Sequence, residues 1–229
     1  QIARKENRPY KDFAVLYRAN AQARPVEDAL NRSQIPYNIY GGTKFYERKE
    51  IKDLLAYLRV IQNPQDDISI KRIINVPRRG IGLRTIEKIE DRANLKQESI
   101  YSVLIDIETN SDISTKARAS ISGFVDIIGT LRTIKEVYPV SKLIEKVLDT
   151  TGYMDELVEI RNKNEKDLTG KGEEAQDRID NLREFISIAL EFESSNDDTY
   201  ENKDLETFLT RIALTSESND EEDNDRVSL

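Results

Sequence analysis

The residues best placed to do chemistry in this sequence run Asn75-Val76-Pro77-Arg78-Arg79-Gly80-Ile81-Gly82-Leu83-Arg84-Thr85-Ile86-Glu87-Lys88-Ile89. Gly80 and Gly82 free the backbone to bend sharply, and Ile81 between them can plug into a core and hold the turn. From Leu83 to Ile89 the spacing is helical. A Gly-hydrophobic-Gly turn that opens a helix points unpaired backbone N–H groups and the positive end of the dipole outward, which makes a phosphate site. Arg78, Arg79 and Arg84 add charge on the same side, and the segment Arg78 to Thr85 is the candidate phosphate-binding stretch.

Other chemistries are closed off. The chain has no cysteine and no histidine, which removes thiolates, imidazoles, disulfides and His/Cys metal sites. Its net charge is −8, on its face a poor match for nucleic acid. The distribution reverses that reading locally: Lys71 to Lys88 carries six basic residues against Glu87 alone, +5 in one segment and −13 in the rest. The hairpin of a helix-hairpin-helix motif, which grips a DNA backbone without reading bases, has this pattern. A plain helix-turn-helix corner with incidental arginines also fits the tripeptide. No apolar stretch approaches the roughly 18 residues of a membrane span, and Gln1 to Tyr10 is polar, so a cytoplasmic protein is expected.

The elements that must position these residues divide the chain in three. In residues 1–45, Phe13 to Tyr17 and Tyr37 to Tyr40 suit strands on either side of a helix with Val26, Ala29 and Leu30 on its apolar face. Such a strand-helix-strand unit cannot close a core, so it reads as part of a larger α/β sheet. Residues 46–214 are helical in period. Ile51, Leu54, Leu55, Leu58 and Ile61 make a long helix that Asn63-Pro64 stops. Ile70 to Ile74, Ile100 to Ile107, Ala117 to Ile134, Val140 to Leu148 (capped by Gly152), Ile179 to Phe192 and Leu205 to Ile212 continue the series. The fold class is therefore mainly α, a body of about eight to ten helices with a small partial α/β unit. Arg161 to Gly172 and Ser194 to Lys203 read as loose. Residues 215–229, with six acids and one Arg after Thr215, read as a solvated connection, with a regulatory acidic tail as the sharper alternative.

Several stretches together resemble the superfamily 1 DNA helicases of the UvrD/PcrA/Rep group. Phe13-Ala14-Val15-Leu16-Tyr17-Arg18-Ala19-Asn20-Ala21-Gln22-Ala23-Arg24 is similar to their motif IV. Phe45-Tyr46-Glu47-Arg48-Lys49-Glu50-Ile51-Lys52-Asp53, Leu55-Ala56-Tyr57-Leu58-Arg59, Asn63-Pro64 and Ile73 to Gly82 follow in the family's order. Thr151-Gly152-Tyr153 and Arg178-Ile179-Asp180-Asn181-Leu182 are weaker counterparts.

The resemblance implies a motor that uses ATP and Mg²⁺ to move 3′ to 5′ along DNA in repair and replication. This chain would supply the start of subdomain 2A (1–45), subdomain 2B (46–214) and a connector toward motif V (215–229). A G-x-x-x-x-G-K-[ST] loop and an acidic metal motif are absent, so the chain itself should hold no cofactor and no metal, have no catalytic residue and be inactive alone. Its partners would be a DNA single-strand/duplex junction and the remaining helicase subdomains. By resemblance Arg18 faces the phosphate and Asn20 the nucleotide of single-stranded DNA; a surface salt bridge and a helix cap are their structural alternatives. The duplex set is Arg78, Arg79, Gly80, Ile81, Gly82, Arg84 and Thr85. Arg48, Glu50, Lys52 and Asp53 would organise a junction between subdomains, and Tyr17, Tyr37, Tyr40, Tyr46 and Tyr57 read as core or rim. A self-sufficient helix-hairpin-helix scaffold is the competing class, which the strand unit disfavours. A helicase-nuclease subunit is a third option, lowered by the lack of its large insertions.

Overall fold

The computed structural model describes residues 8–17, 23–39, 43–164, 169–195, 202–217 and 225–229. Extended chain from Phe13 to Tyr17 leads to α1 (Ala23–Arg32) and β1 (Tyr37–Asn38), the order the sequence predicts. Two details differ. Phe13 to Tyr17 is not a strand, since only Ala14 forms a bridge, parallel to Ser228. The second difference is β2 (Val227–Ser228), which pairs in parallel with β1, Tyr37 opposite Val227. The last residues of the stretch expected as a solvated connection thus lie between the Ala14 segment and β1. Val15 N–H donates to Ser228 O at 2.8 Å on one side, and Leu229 N–H to Asn38 O at 2.8 Å on the other. Val227 and Leu229, two positions apart, share a strand face and are buried with Tyr37 beside Phe13, Val26 and Leu30. The acids that precede them swamp this short apolar alternation when composition is averaged over the segment.

The helical body is built around α2 (Lys49–Gln62), whose residues from Glu50 to Ile61 are buried apart from Lys52 and Arg59. It ends at Asn63, where the following proline disfavours helical backbone. Then come α3 (Asp67–Ile73), α4 (Leu83–Lys96), α5 (Ile100–Ile105), α6 (Thr115–Ile134), α7 (Val140–Thr151), α8 (Tyr153–Lys163), α9 (Lys171–Ser194) and α10 (Leu205–Glu217), ten α-helices among the described residues. Local chemistry sets several starts. Asp66, Ser99 and Ser114 accept the N–H of Ser69, Ser102 and Ala117, capping α3, α5 and α6. Gly152, at φ +73°, ends α7 as expected and lets α8 begin at the next residue.

Helix α8 falls where the sequence reads polar, because among its described residues only Tyr153 and Leu157 are fully buried. The stretch from Arg161 to Gly172, expected to be loose, is helical up to Lys163 and again from Lys171. Around α2 pack α3, α6, α7, α9 and α10. Phe208 of α10 meets Phe185 and Phe192 of α9 at ring-centroid distances of 5.8 and 5.4 Å. No helix among the described residues is long and apolar enough to cross a membrane.

Because β2 supplies the acceptor for Val15 N–H, deleting residues 225–229 should speed hydrogen exchange at Val15 while Leu54, Leu58, Ile128 and Phe185 stay protected. Unchanged exchange at Val15 would show that β2 does not hold the small unit together.

Candidate nucleic-acid interface

The hairpin between α3 and α4 is made rigid from inside. Asn75 Oδ1 accepts the N–H groups of Arg79 at 2.8 Å and Ile81 at 3.2 Å, folding the turn onto its own side chain. Ile81 is 1% exposed, so the predicted plug is in place. Gly80 sits at φ +75°, a region that penalises a Cβ. Gly82 is the N-cap of α4 and makes no side-chain cap; Thr85 N–H donates back to Gly82 O at 2.9 Å, and the N–H groups of Leu83 and Arg84 are left open to an outside acceptor.

The six cations of the segment do not share one fate. Arg79 turns inward: its Nη1 donates to Ile73 O at 3.1 Å and Pro77 O at 3.2 Å, and its Nη2 to the Tyr57 hydroxyl at 2.7 Å. The guanidinium lies 5.4 Å from the Phe124 ring centroid. Tyr57 in turn donates to Val76 O. Burial pushes the Tyr57 hydroxyl up to about 12, against the pull of the neighbouring guanidinium. Lys71 pairs with Glu90 at 2.6 Å, Arg72 with Asp53 at 2.8 Å, and Lys88 donates to Asp112 O at 2.7 Å. Arg78 and Arg84 are exposed and make no side-chain hydrogen bond or ion pair among the described residues. Two free guanidinium groups therefore flank the open helix start, with Gly80 and Gly82 exposed and Thr85 half-buried beside them. Arg79 and Ile81, placed in the same set from sequence, hold the turn from within. Arg18 and Asn20 lie outside the described residues.

A second basic feature was not singled out from sequence. The fully exposed positions of α2 are Lys49, Lys52 and Arg59, and none of the three side chains has a partner among the described residues. Lys52 and Arg59, with Arg72 and the exposed Ile68 of α3, line a cleft between the two helices. The signal was present: every solvent-facing position along the apolar stripe of α2 is a cation.

At and near the start of α2, buried and half-buried polar groups tie distant segments together. Arg48 Nη1 donates to Asn181 Oδ1 at 2.6 Å, and Asn181 Nδ2 to Glu50 Oε1 at 2.6 Å. Tyr153 donates to Asp53 Oδ2 at 2.9 Å. Burial and the Asp53 carboxylate together raise the Tyr153 phenol far above its ordinary value.

The family described as UvrD-like helicase C-terminal domain matches residues 1–229. The chain belongs to that family. It is 40% identical over 210 residues to the ATP-dependent DNA helicase PcrA of Bacillus subtilis, covering 92% of this chain and 26% of that protein. The PcrA of Leuconostoc citreum is 37% identical over 231 residues, 98% of this chain and 29% of the relative. A Staphylococcus aureus PcrA is 35% identical over 225 residues, with 98% and 29% covered. The chain thus spans between a quarter and a third of the length of the curated relatives it matches.

Within a UvrD-like helicase domain, the buried contacts give the weaker sequence matches a physical role. Tyr153 of Thr151-Gly152-Tyr153 and Asn181 of Arg178 to Leu182 are the partners of Asp53 and Glu50 in the Phe45 to Asp53 stretch. Arg48, Glu50 and Asp53 make contacts within the helical body, while Lys52 faces solvent.

Removing the inner hydroxyl tests the hairpin's support. Tyr57→Phe should lower stability to urea by about 1 kcal/mol through one lost pair of hydrogen bonds, and Ile81→Ala by about 2–5 kcal/mol through the cavity it leaves. Near-neutral values for both would mean that the hairpin is not anchored through these groups.

Proposed function

We propose that this chain is the duplex-facing part of an ATP-dependent DNA helicase, with the Arg78 to Thr85 hairpin gripping the phosphate backbone. One observation carries the reading: four of the six cations in the segment are bound within the protein, and the two left over, Arg78 and Arg84, flank an uncapped helix start. Backbone amides and guanidinium groups recognise phosphate without reading bases. This suits an enzyme that must travel through any sequence.

Residues 46–214 correspond on this reading to accessory subdomain 2B, and residues 1–45 to the opening of subdomain 2A, which β2 joins. Arg18 and Asn20 contact the single strand. The rest of the motor binds ATP with Mg²⁺ and drives 3′ to 5′ movement, in DNA repair and replication in the cytoplasm. The relatives' shared name, ATP-dependent DNA helicase, supports the activity. The parallel sheet formed with β2 favours this over a free-standing helix-hairpin-helix scaffold, which has no use for a piece of α/β sheet.

Duplex binding by the chain should be weak, about 10⁻⁴ to 10⁻⁶ M, and should weaken as salt rises. Arg78→Ala with Arg84→Ala should flatten the plot of log affinity against log salt by about 0.9 per lost phosphate contact, whereas a change at Arg79 should act through stability. An unaltered slope in the double variant would place the duplex site elsewhere. Having no phosphate loop in its sequence, the chain should show no ATP turnover with or without DNA. Turnover that disappears with a point change inside these residues would contradict the assignment.

A further inference from the structure

Lys52, Leu55, Ala56 and Arg59 of α2 are spaced i, i+3, i+4 and i+7 and so lie on one stripe of that helix. The stripe reads cation, apolar, apolar, cation. It forms one wall of the cleft between α2 and α3, whose volume is about 320 Å³. Leu55 and Ala56, with Ile212 of α10, are buried and give the cleft an apolar floor. Ile68, the second residue of α3, lines the facing side and is 80% exposed.

The cleft carries more positive charge than the fold uses. Of its three cations Arg72 is tied to Asp53 at 2.8 Å, whereas Lys52 and Arg59 have no partner among the described residues. This holds in a chain with 43 acids against 35 bases, and Glu47 is the one acid lining the cleft. Seven residues along a helix span about 10 Å, so two carboxylates that far apart, with an aliphatic side chain between them, match both the cations and the floor. A phosphate backbone fits less well. The start of α3 is closed to anions, because Asp66 accepts the N–H of Ser69 at 3.0 Å and its hydroxyl at 2.6 Å. The floor is apolar where a phosphate needs donors.

We propose that this cleft is a docking site for an acidic peptide segment of a partner protein. The segment seats one aliphatic side chain against Leu55, Ala56, Ile68 and Ile212 and sets carboxylates against Lys52 and Arg59. The apolar contact anchors it, and the charges give register and salt sensitivity. The site shares no residue with the Arg78 to Thr85 hairpin and does not depend on what the hairpin binds.

Random peptides displayed on phage and selected on the whole chain, after removal of those that also bind the Lys52→Glu, Arg59→Glu variant, report the chemistry the cleft prefers. Enriched peptides should carry acids on both sides of one large aliphatic residue. By fluorescence anisotropy the best of them should bind more weakly as salt rises. It should also lose at least about tenfold in affinity with Ile68→Ser and, separately, with Lys52→Gln, Arg59→Gln. The altered side chains are all exposed, so each variant should keep the helix content and unfolding midpoint of the unchanged chain. Failure to enrich acidic peptides, or an unchanged affinity in either folded variant, would overturn the proposal. So would a single-stranded or duplex oligonucleotide that displaces the peptide and binds less tightly after Lys52→Gln, Arg59→Gln, since the cleft would then be a nucleic-acid surface.

Discussion

The hairpin proposed to meet DNA depends on one half-buried guanidinium, that of Arg79. It gathers the carbonyls of Ile73 and Pro77 and the hydroxyl of Tyr57 around itself and lies against Phe124, so the end of α3, the turn, α2 and α6 all meet at one side chain. A turn held this way presents its backbone amides in a fixed direction, and preorganised donors lose little on binding an anion. The inward use of Arg79 also sharpens the electrostatics. A segment that looks like a diffuse basic patch in sequence becomes a pair of free cations at the mouth of a helix.

Above the hairpin stands the question of how the body is carried. The chain leaves the small unit after β1 and returns to it as β2, and these strands are neighbours, so the helical body begins and ends at the same place. An insertion attached at one point is free to tilt unless something holds it. The polar contacts of the small unit fall where that restraint is needed: Arg24 on α9 and Glu27 on the N–H of Phe45. Charged and amide groups give directional contacts that an apolar surface would not, and they can be broken one at a time.

Much of this was legible in the sequence, for reasons that differ by element. The long apolar stripe of α2, the stop at Asn63-Pro64, the cap at Gly152 and the Gly80-Ile81-Gly82 turn are local signals, written within a few residues and little altered by context. Helix α8 was hidden because its buried face is narrow. Strand β2 was hidden because three residues of alternation follow a run of acids, and its partners lie nearly two hundred residues earlier. The inward role of Arg79 could not be read at all. Arg78, Arg79 and Arg84 are the same residue type in one turn, and only the position of Tyr57 and Phe124 decides which of them is spent inside.

The account's central claim is that the open end of α4, with Arg78 and Arg84, is where duplex DNA is held. Titrating isotopically labelled protein with a short blunt duplex at low salt, and following backbone amide resonances, examines that claim residue by residue. The account predicts progressive shifts concentrated at Arg78, Gly80 and Gly82 to Thr85, which salt reverses. Shifts confined to α9, or to the cleft of Lys52 and Arg59, with the hairpin amides unmoved, would contradict it.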